Sequence, residues 1–342
     1  MKLIITIDTE EDNWGCYSPT GHTLENIERI PRLQALFDEF SVKPTYLITY
    51  PVATDNRSAS ILRSILETGR CEIGAHCHPW NTPPIEEEMG RVNSMLCNLP
   101  LDLQYRKLSC LDRTIQERLG TKPVSFRAGR WGYNQGVASN LKRLGYEVDT
   151  SITPYTSWTK DNGPDFSDMS PRSYPFNPES IRDIEPHGPL IEIPATIGYL
   201  QKNFATCSSI SKTLGRPPMR YLRLNGILSR LRLITKVWLS PEVTDGEGMI
   251  RLAKRMWRNN YAVINMFFHS PSLKAGLSPF VKSPQEETQF LARIREFLKY
   301  AHDAGMEPAT LSDCTAYRMS ADDSVIPDAE FAPLTTRSAR RC

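Results

Sequence analysis

The sequence predicts an α/β fold: a closed or nearly closed barrel of seven or eight parallel β-strands wrapped by helices. Three observations carry this. Short apolar runs alternate with helical patterns along most of the 342 residues. Several of those runs (LIITI, VINMFF) are nearly continuous, as strands covered on both faces must be. The β-α alternation implies a parallel sheet, and a barrel of this kind commonly takes about 250 residues, which this chain exceeds.

The elements follow in order. A strand over Leu3–Asp8 leads to a helix near 26–40, a strand over Thr45–Tyr50 and a helix near 58–68. Cys71–His76, Val124–Ala128, Glu147–Ile152 and Leu190–Pro194 supply four further strands, with helices near 104–119 and 134–144. A helix at 246–258, a strand over Ala262–His269, a helix at 284–304 and a weaker strand over Pro308–Leu311 complete the alternation. Gly69, Gly120, Gly145 and Gly305 lie just past four of the helices, where a left-handed terminating residue belongs.

Two stretches break the rhythm. Residues 155–189 are rich in Pro, Ser and Asp and read as a long ordered loop. Residues 196–241 contain no acid: none occurs between Glu192 and Glu242, while eight Lys/Arg fall between Lys202 and Lys236. From 319 the periodicity is lost, and 319–342 is expected to be a disordered tail. The organisation is therefore one barrel over 1–318 with insertions at about 155–189 and 196–241.

Composition narrows the function classes. Forty-one Lys+Arg against 39 Asp+Glu leave a net charge of +2, which argues against nucleic acid as a partner. The eight cysteines include no Cys-x-x-Cys pair, so a zinc ribbon or thioredoxin motif is excluded. The N-terminus MKLIITIDTEED turns acidic too early for a signal peptide, and no apolar run is long enough to span a membrane. Reduced, mostly buried thiols in a cytoplasmic protein are expected.

In a β/α barrel the active site lies at the C-terminal strand ends. There the sequence places Asp8-Thr9-Glu10-Glu11-Asp12, then His76-Cys77-His78-Pro79-Trp80, Arg127, Asp149, and finally His269. Residues two apart on an extended chain point the same way, so Asp8 with Glu10, and His76 with His78, can each present a pair. Cys77 then points away. Two imidazoles and a carboxylate with an open position compose a catalytic zinc site. The plainer reading is that these groups satisfy one another in a polar barrel mouth.

TIDTEED, EIGAHCHPW, SFRAGRWGYN, VDTSITP and NMFFHSP occur in the order of the polysaccharide deacetylase family (carbohydrate esterase family four, NodB-homology fold), which the chain resembles from Met1 to about Asp313. The resemblance implies a distorted β/α barrel that hydrolyses N- or O-acetyl groups on glycans with one divalent metal. It makes Asp8 the general base, Glu10 a metal ligand with His76, and Arg127 the holder of the base. Asp149 would tune the catalytic imidazole, and His269 would be the general acid. Two departures stand out. The usual Asp-Asp is here Asp8 and Glu10, and the second His of the usual His-x-x-x-His is Trp80, so His78 would substitute.

Trp14, Trp80, Trp131 and Tyr133 follow the same strand ends and either stack on sugar rings or cap the core. Over 221–238, Leu224, Ile227, Leu228, Leu231, Ile234 and Trp238 form a helical stripe flanked by Arg223, Arg230, Arg232 and Lys236. This is either a helix packed on the barrel or a peripheral contact with the inner face of a membrane. The leading function is metal-dependent deacetylation of an acetylated glycan. A metal-dependent hydrolase of a non-sugar amide or cyclic imide is the enzymatic alternative, and an inactive carbohydrate-binding protein the non-enzymatic one.

Overall fold

The computed structural model describes residues 1–13, 15, 17–216, 221 and 224–317. In chain order its elements are β1 (Lys2–Thr9), α1 (Ile30–Asp38), β2 (Thr45–Ile48), α2 (Tyr50–Thr54), α3 (Asn56–Leu66), β3 (Glu72–Cys77), α4 (Leu101–Leu119), β4 (Ser125–Ala128), α5 (Gln135–Leu144) and β5 (Val148–Asp149). There follow β6 (Thr156–Ser157), β7 (Asp165–Phe166), β8 (Tyr174–Phe176), β9 (Leu190–Glu192), β10 (Ile197–Tyr199), α6 (Phe204–Leu214), α7 (Leu224–Arg230) and β11 (Lys236–Trp238). The last four are α8 (Gly246–Arg258), β12 (Val263–His269), α9 (Pro284–Asp303) and β13 (Glu307–Ala309).

The sheet runs β12-β1-β2-β3-β4-β5-β9-β8, all parallel except β8 at the edge. β13 pairs with the first half of β1, beside the point where β2 takes over. The gap between β9 and β12 is bridged by backbone either side of the insertion: Thr196 N donates to Asn265 O at 3.2 Å, and Phe267 N to Leu239 O at 3.1 Å. Curled in this way, the sheet is the predicted β/α barrel. Gly69, Gly120, Gly145 and Gly305 all take positive φ, between 66° and 80°, as expected of helix-ending residues.

Strand alternation sorts β1 into two faces. Leu3, Ile5 and Ile7 join the large core under the helices, whereas Ile4 packs inside the barrel with Leu47, Val148, Ile191 and Val263. One step up the same inner face, Thr6 donates to Asn265 Oδ1 at 2.9 Å, and Asn265 donates to Thr150 Oγ1 at 2.9 Å. The next step is Asp8, in register with His269 of β12. The inner face thus runs from apolar to hydroxyl and amide to charged, and the chemistry collects at one end.

Two expectations are corrected. Residues 155–189 are more than a loop: β6 and β7 pair antiparallel, and β8 adds an antiparallel edge strand to β9. Residues 221–238 do not form one helix. α7 ends at Arg230, Arg232 turns the chain with φ 58°, and β11 pairs antiparallel with β10. The lysine on that strand explains the change, because Lys236 Nζ is drawn inward to Tyr155 O (2.6 Å) and Thr156 Oγ1 (2.8 Å). Burial lowers its pKa to about 8, so it is no solvated edge. Arg223 and the 319–342 tail lie outside the described residues.

Candidate active site

Four acids at and just past the end of β1, Asp8, Glu10, Glu11 and Asp12, are buried, and each is committed to different partners. Asp8 lies between Arg127 and His269. Its Oδ1 accepts from Arg127 Nη1 at 2.6 Å, and its Oδ2 is 3.8 Å from His269 Nε2. Burial alone pushes the Asp8 carboxyl up. The Arg127 guanidinium, helped by His76 and His269, outweighs that and holds it below its usual range. Arg127 is itself fully buried: Nε donates to Thr150 O (3.0 Å), Nη2 to Thr6 Oγ1 (2.7 Å), and the indole of Trp131 covers it at 5.1 Å.

Glu10 faces the two imidazoles. Its Oε2 is 3.0 Å from His78 Nε2 and 3.5 Å from His76 Nε2. His76 Nδ1 bonds the carbonyl of Arg127 at 3.0 Å. A carbonyl only accepts, so this nitrogen carries the proton and Nε2 is the free donor atom. His78 is oriented by Glu11, whose Oε1 accepts from His78 Nδ1 (2.9 Å), Trp80 Nε1 (3.2 Å) and Asn81 Nδ2 (2.7 Å). Burial works against a charge on His78, but Glu11 and Glu10 raise its pKa to about 9.

Glu10, His76 and His78 place one ligand atom each within 4.8 Å of one another, all buried. Glu10 Oε1 is buried without a hydrogen-bond partner among the described residues. An orphaned carboxylate oxygen beside two Nε2 atoms, with both Nδ1 atoms already tied down, fits a zinc-type ion. Cys77 is not in the group, and burial pushes its thiol up to about 12.

The loop carrying the second imidazole is held from below. Lys107 of α4 is completely buried, and Nζ donates to the carbonyls of Pro79 (2.9 Å), Thr82 (2.8 Å) and Pro84 (2.7 Å) and pairs with Glu87. On the other side, a Cβ on Gly129 would lie 2.4 Å from His78 Cδ2 and 2.7 Å from Cys77 O. Only glycine lets the β4 strand end approach this closely.

His269 Nδ1–H donates to Glu242 Oε2 at 2.9 Å. Burial opposes its charge, yet Glu242, with smaller contributions from Glu10 and Asp8, raises its pKa to about 10. This corrects the expectation for Asp149, whose carboxylate accepts from Ser151 N (3.0 Å) and Oγ (2.8 Å) on its own strand end. Asp149 lies beside Glu192 across the β5–β9 ladder, fully buried. Burial raises both pKa values, and Glu192 is pushed further because the Asp149 carboxylate lies beside it.

The aromatic expectations divide. Trp80, 2% exposed, stacks on His78 with centroids 4.1 Å apart, and Tyr133 is fully buried. With Trp131 over Arg127, these rings support the site and offer no free face to a sugar. Trp14 lies outside the described residues. Sequence reasoning missed three acids. Glu242 had a signal, as the first carboxylate after the acid-free stretch; Glu11 sat unassigned among the strand-end acids, and Glu192 had none. It also missed Phe280, 37% exposed and stacked on the His269 ring at 5.9 Å and 13°. Asp12 serves structure: it caps the turn before α1, accepting from Glu25 N at 2.8 Å and Asn26 Nδ2 at 2.6 Å.

No protein-family model and no curated protein sequence matches the chain. Among solved structures it is similar to a Mycobacterium smegmatis protein assigned as a polysaccharide deacetylase, with 17% identity over 97% of this chain and 94% of that one, and a TM-score of 0.53. It is also similar to the 4-alpha-glucanotransferase of Thermococcus litoralis, at 10% identity and a TM-score of 0.50, over 92% of this chain but 38% of that enzyme. The chain has the barrel fold of these proteins. Likeness at such identities speaks for the fold, and the chemistry rests on the side chains.

Proposed function

We propose that the chain is a metal-dependent hydrolase that removes acetyl groups, N-acetyl foremost, from a glycan. The observation that carries this is the opposed pairing of Asp8 with Arg127 and His269 with Glu242, on either side of the 3.8 Å gap between Asp8 Oδ2 and His269 Nε2. One partner keeps a carboxylate ionised and the other keeps an imidazole protonated, which is how a base and an acid coexist at one pH.

Glu10, His76 and His78 would hold the ion, which polarises an acyl oxygen and lowers the pKa of a water from about 16 toward roughly 7. The attacking water must also lose a proton to a base on the chain. Asp8 suits that role: Arg127 occupies Oδ1, leaving Oδ2 to take the proton. His269 Nε2 then gives its proton to the departing nitrogen, a step an amide needs because its amine leaves poorly unprotonated. Glu242 holds Nδ1–H throughout and stabilises the imidazolium. Asp149 and Glu192 contribute by burying a polar wall behind Arg127, with no contact to the reacting atoms in this scheme.

The test is acetate release from a panel of N- and O-acetylated oligosaccharides, with chelator and with zinc restored. Release that chelator abolishes and zinc restores supports the reading. Zinc binding without acetate release from any glycan overturns it in favour of another amide or imide substrate. Absence of both metal binding and turnover points to a carbohydrate-binding protein.

A further inference from the structure

The excursion from Thr196 to Pro241 leaves the barrel on the C-terminal side of β9, the end at which the site lies. Its outer part is α6, α7 and the turn that follows, with Asn225 Nδ2 of α7 donating to Ser211 O of α6 at 2.9 Å. Ile210, Ile227, Leu231 and Leu233 are 41%, 50%, 63% and 57% exposed there. Four large aliphatic side chains on one short excursion exceed the scattered singles of an ordinary surface. Lys202, Arg216, Arg230 and Arg232 stand exposed on the same excursion, and none of these four forms a salt bridge with another described residue. Lys212, half-buried on α6, lies in the field of Asp165.

The charge pattern identifies the occupant. The chain as a whole nearly balances its charges, yet from 193 to 241 it carries eight cations and no acid; Lys236 is drawn inward, and Arg220 and Arg223 lie outside the described residues. Like charges around an apolar tip repel one another unless something outside supplies the anions. A protein partner would have to offer an apolar pocket and a ring of carboxylates. An anionic bilayer offers both everywhere on its surface: headgroup charge for the long cationic side chains and acyl chains for the aliphatic tip. We infer that this excursion docks the protein on an anionic lipid surface, with Ile227, Leu231 and Leu233 entering the interface and Lys202, Arg216 and Arg230 on the headgroups. Among the described residues no helix is long and apolar enough to cross a membrane, so the contact is peripheral.

The returning strand β11 runs through Leu239 directly to Glu242, which holds His269. The outgoing arm runs instead beside α8: Asn259 Nδ2 donates to Lys202 O at 3.0 Å, and Phe204 stacks on Tyr261, just ahead of β12. The docking does not rest on the deacetylase reading.

Co-sedimentation tests the docking with the full chain and two kinds of vesicle, pure phosphatidylcholine and phosphatidylcholine with phosphatidylglycerol. Binding is expected to the anionic vesicles alone and to weaken with salt. Each cation neutralised should cost about fivefold in partitioning, so Lys202→Gln/Arg216→Gln/Arg230→Gln should bind about a hundredfold more weakly. Ile227→Ser/Leu231→Ser/Leu233→Ser should also lose at least about tenfold. The substituted residues are exposed, and circular dichroism checks that both variants fold. Binding to neither vesicle overturns the inference, as does binding that both variants retain. Self-association in the absence of lipid, abolished by the aliphatic variant, would assign the tip to a second copy of the chain and overturn it too. None of these outcomes depends on acetate release, so the docking and the deacetylase reading fail separately.

Discussion

Glu242 accepts the Nδ1 hydrogen of His269 at 2.9 Å, and this carboxylate reaches the imidazole from the far end of an insertion. His269 ends β12, whereas Glu242 follows the strand that returns from the cationic excursion, so two distant parts of the chain make one acid. The pKa of about 10 on His269 owes its rise chiefly to this pairing, against the opposing effect of burial.

Glu242→Gln should therefore move the alkaline limb of kcat/KM. A general acid works below its own pKa, and the limb falls where the proton is lost. Without the anion the imidazolium is less stable, its pKa drops, and the limb shifts to lower pH by roughly one to two units. A pH-rate profile of both proteins checks this. A limb that stays in place in the variant would detach Glu242 from the acid.

Glu11 gathers three donors on one oxygen, His78 Nδ1, Trp80 Nε1 and Asn81 Nδ2. Glu11→Ala frees the imidazole to rotate and leaves those donors unpaired, so zinc affinity should fall about 10- to 100-fold. Glu11→Gln keeps an accepting oxygen and should fall less. Competition against a chromophoric chelator reads this without any substrate. Zinc affinity unchanged in Glu11→Ala would show that the ring is fixed by packing against Trp80 alone.

Much of this site was legible because strand alternation is a strict rule. With β1 a strand, Asp8 and Glu10 must share a face, as must His76 and His78; that His269 stands beside Asp8 comes from the β1–β12 register, which the sequence does not state. What failed depended on contacts between segments that share no pattern. Nothing periodic marks Glu242 as the partner of His269 in preference to Asp149, since the choice is made by where the returning backbone meets β12. The 221–238 stripe misleads for a related reason: its spacing is helical, but pairing with Ile197–Tyr199 and the carbonyl of Tyr155 that takes Lys236 make its last part a strand. Trp80 and Trp131 look like sugar platforms in sequence, and only their burial against His78 and Arg127 shows them to be supports of the site.

Phe280 is the exposed ring beside the acid, stacked on His269 at 5.9 Å. In the deacetylase reading, the part of this ring left exposed is a contact for the sugar. Phe280→Ala should raise KM about 2- to 10-fold while kcat changes little, and Phe280→Tyr should restore it, as expected of one aromatic contact. Steady-state kinetics on the best substrate of the acetate-release panel measure both. A fall in kcat at constant KM would instead make Phe280 a support for the imidazole.

The pair of Asp8 and Arg127 binds stability to pH, and the direction can be derived. Asp8 has its folded pKa held below the ordinary 3.8, so its contribution is complete above that value and is lost as pH falls through the folded pKa. Arg127→Met removes the cation and leaves a carboxylate buried without it, a loss of about 3–5 kcal/mol at neutral pH. In that variant burial raises the Asp8 pKa, so acid relieves the defect by neutralising the group. The stability gap between wild type and Arg127→Met should therefore be widest near neutral pH and narrow toward pH ~4. Asp8→Asn/Arg127→Met removes the stranded charge and should recover part of the loss at neutral pH, with little dependence on acid. Urea melts in the presence of chelator, at neutral and mildly acidic pH, compare the three proteins. A gap that does not change with pH, or a double variant no more stable than the single one, would mean that Arg127 stabilises the barrel through its bonds to Thr6 and Thr150 and not through Asp8.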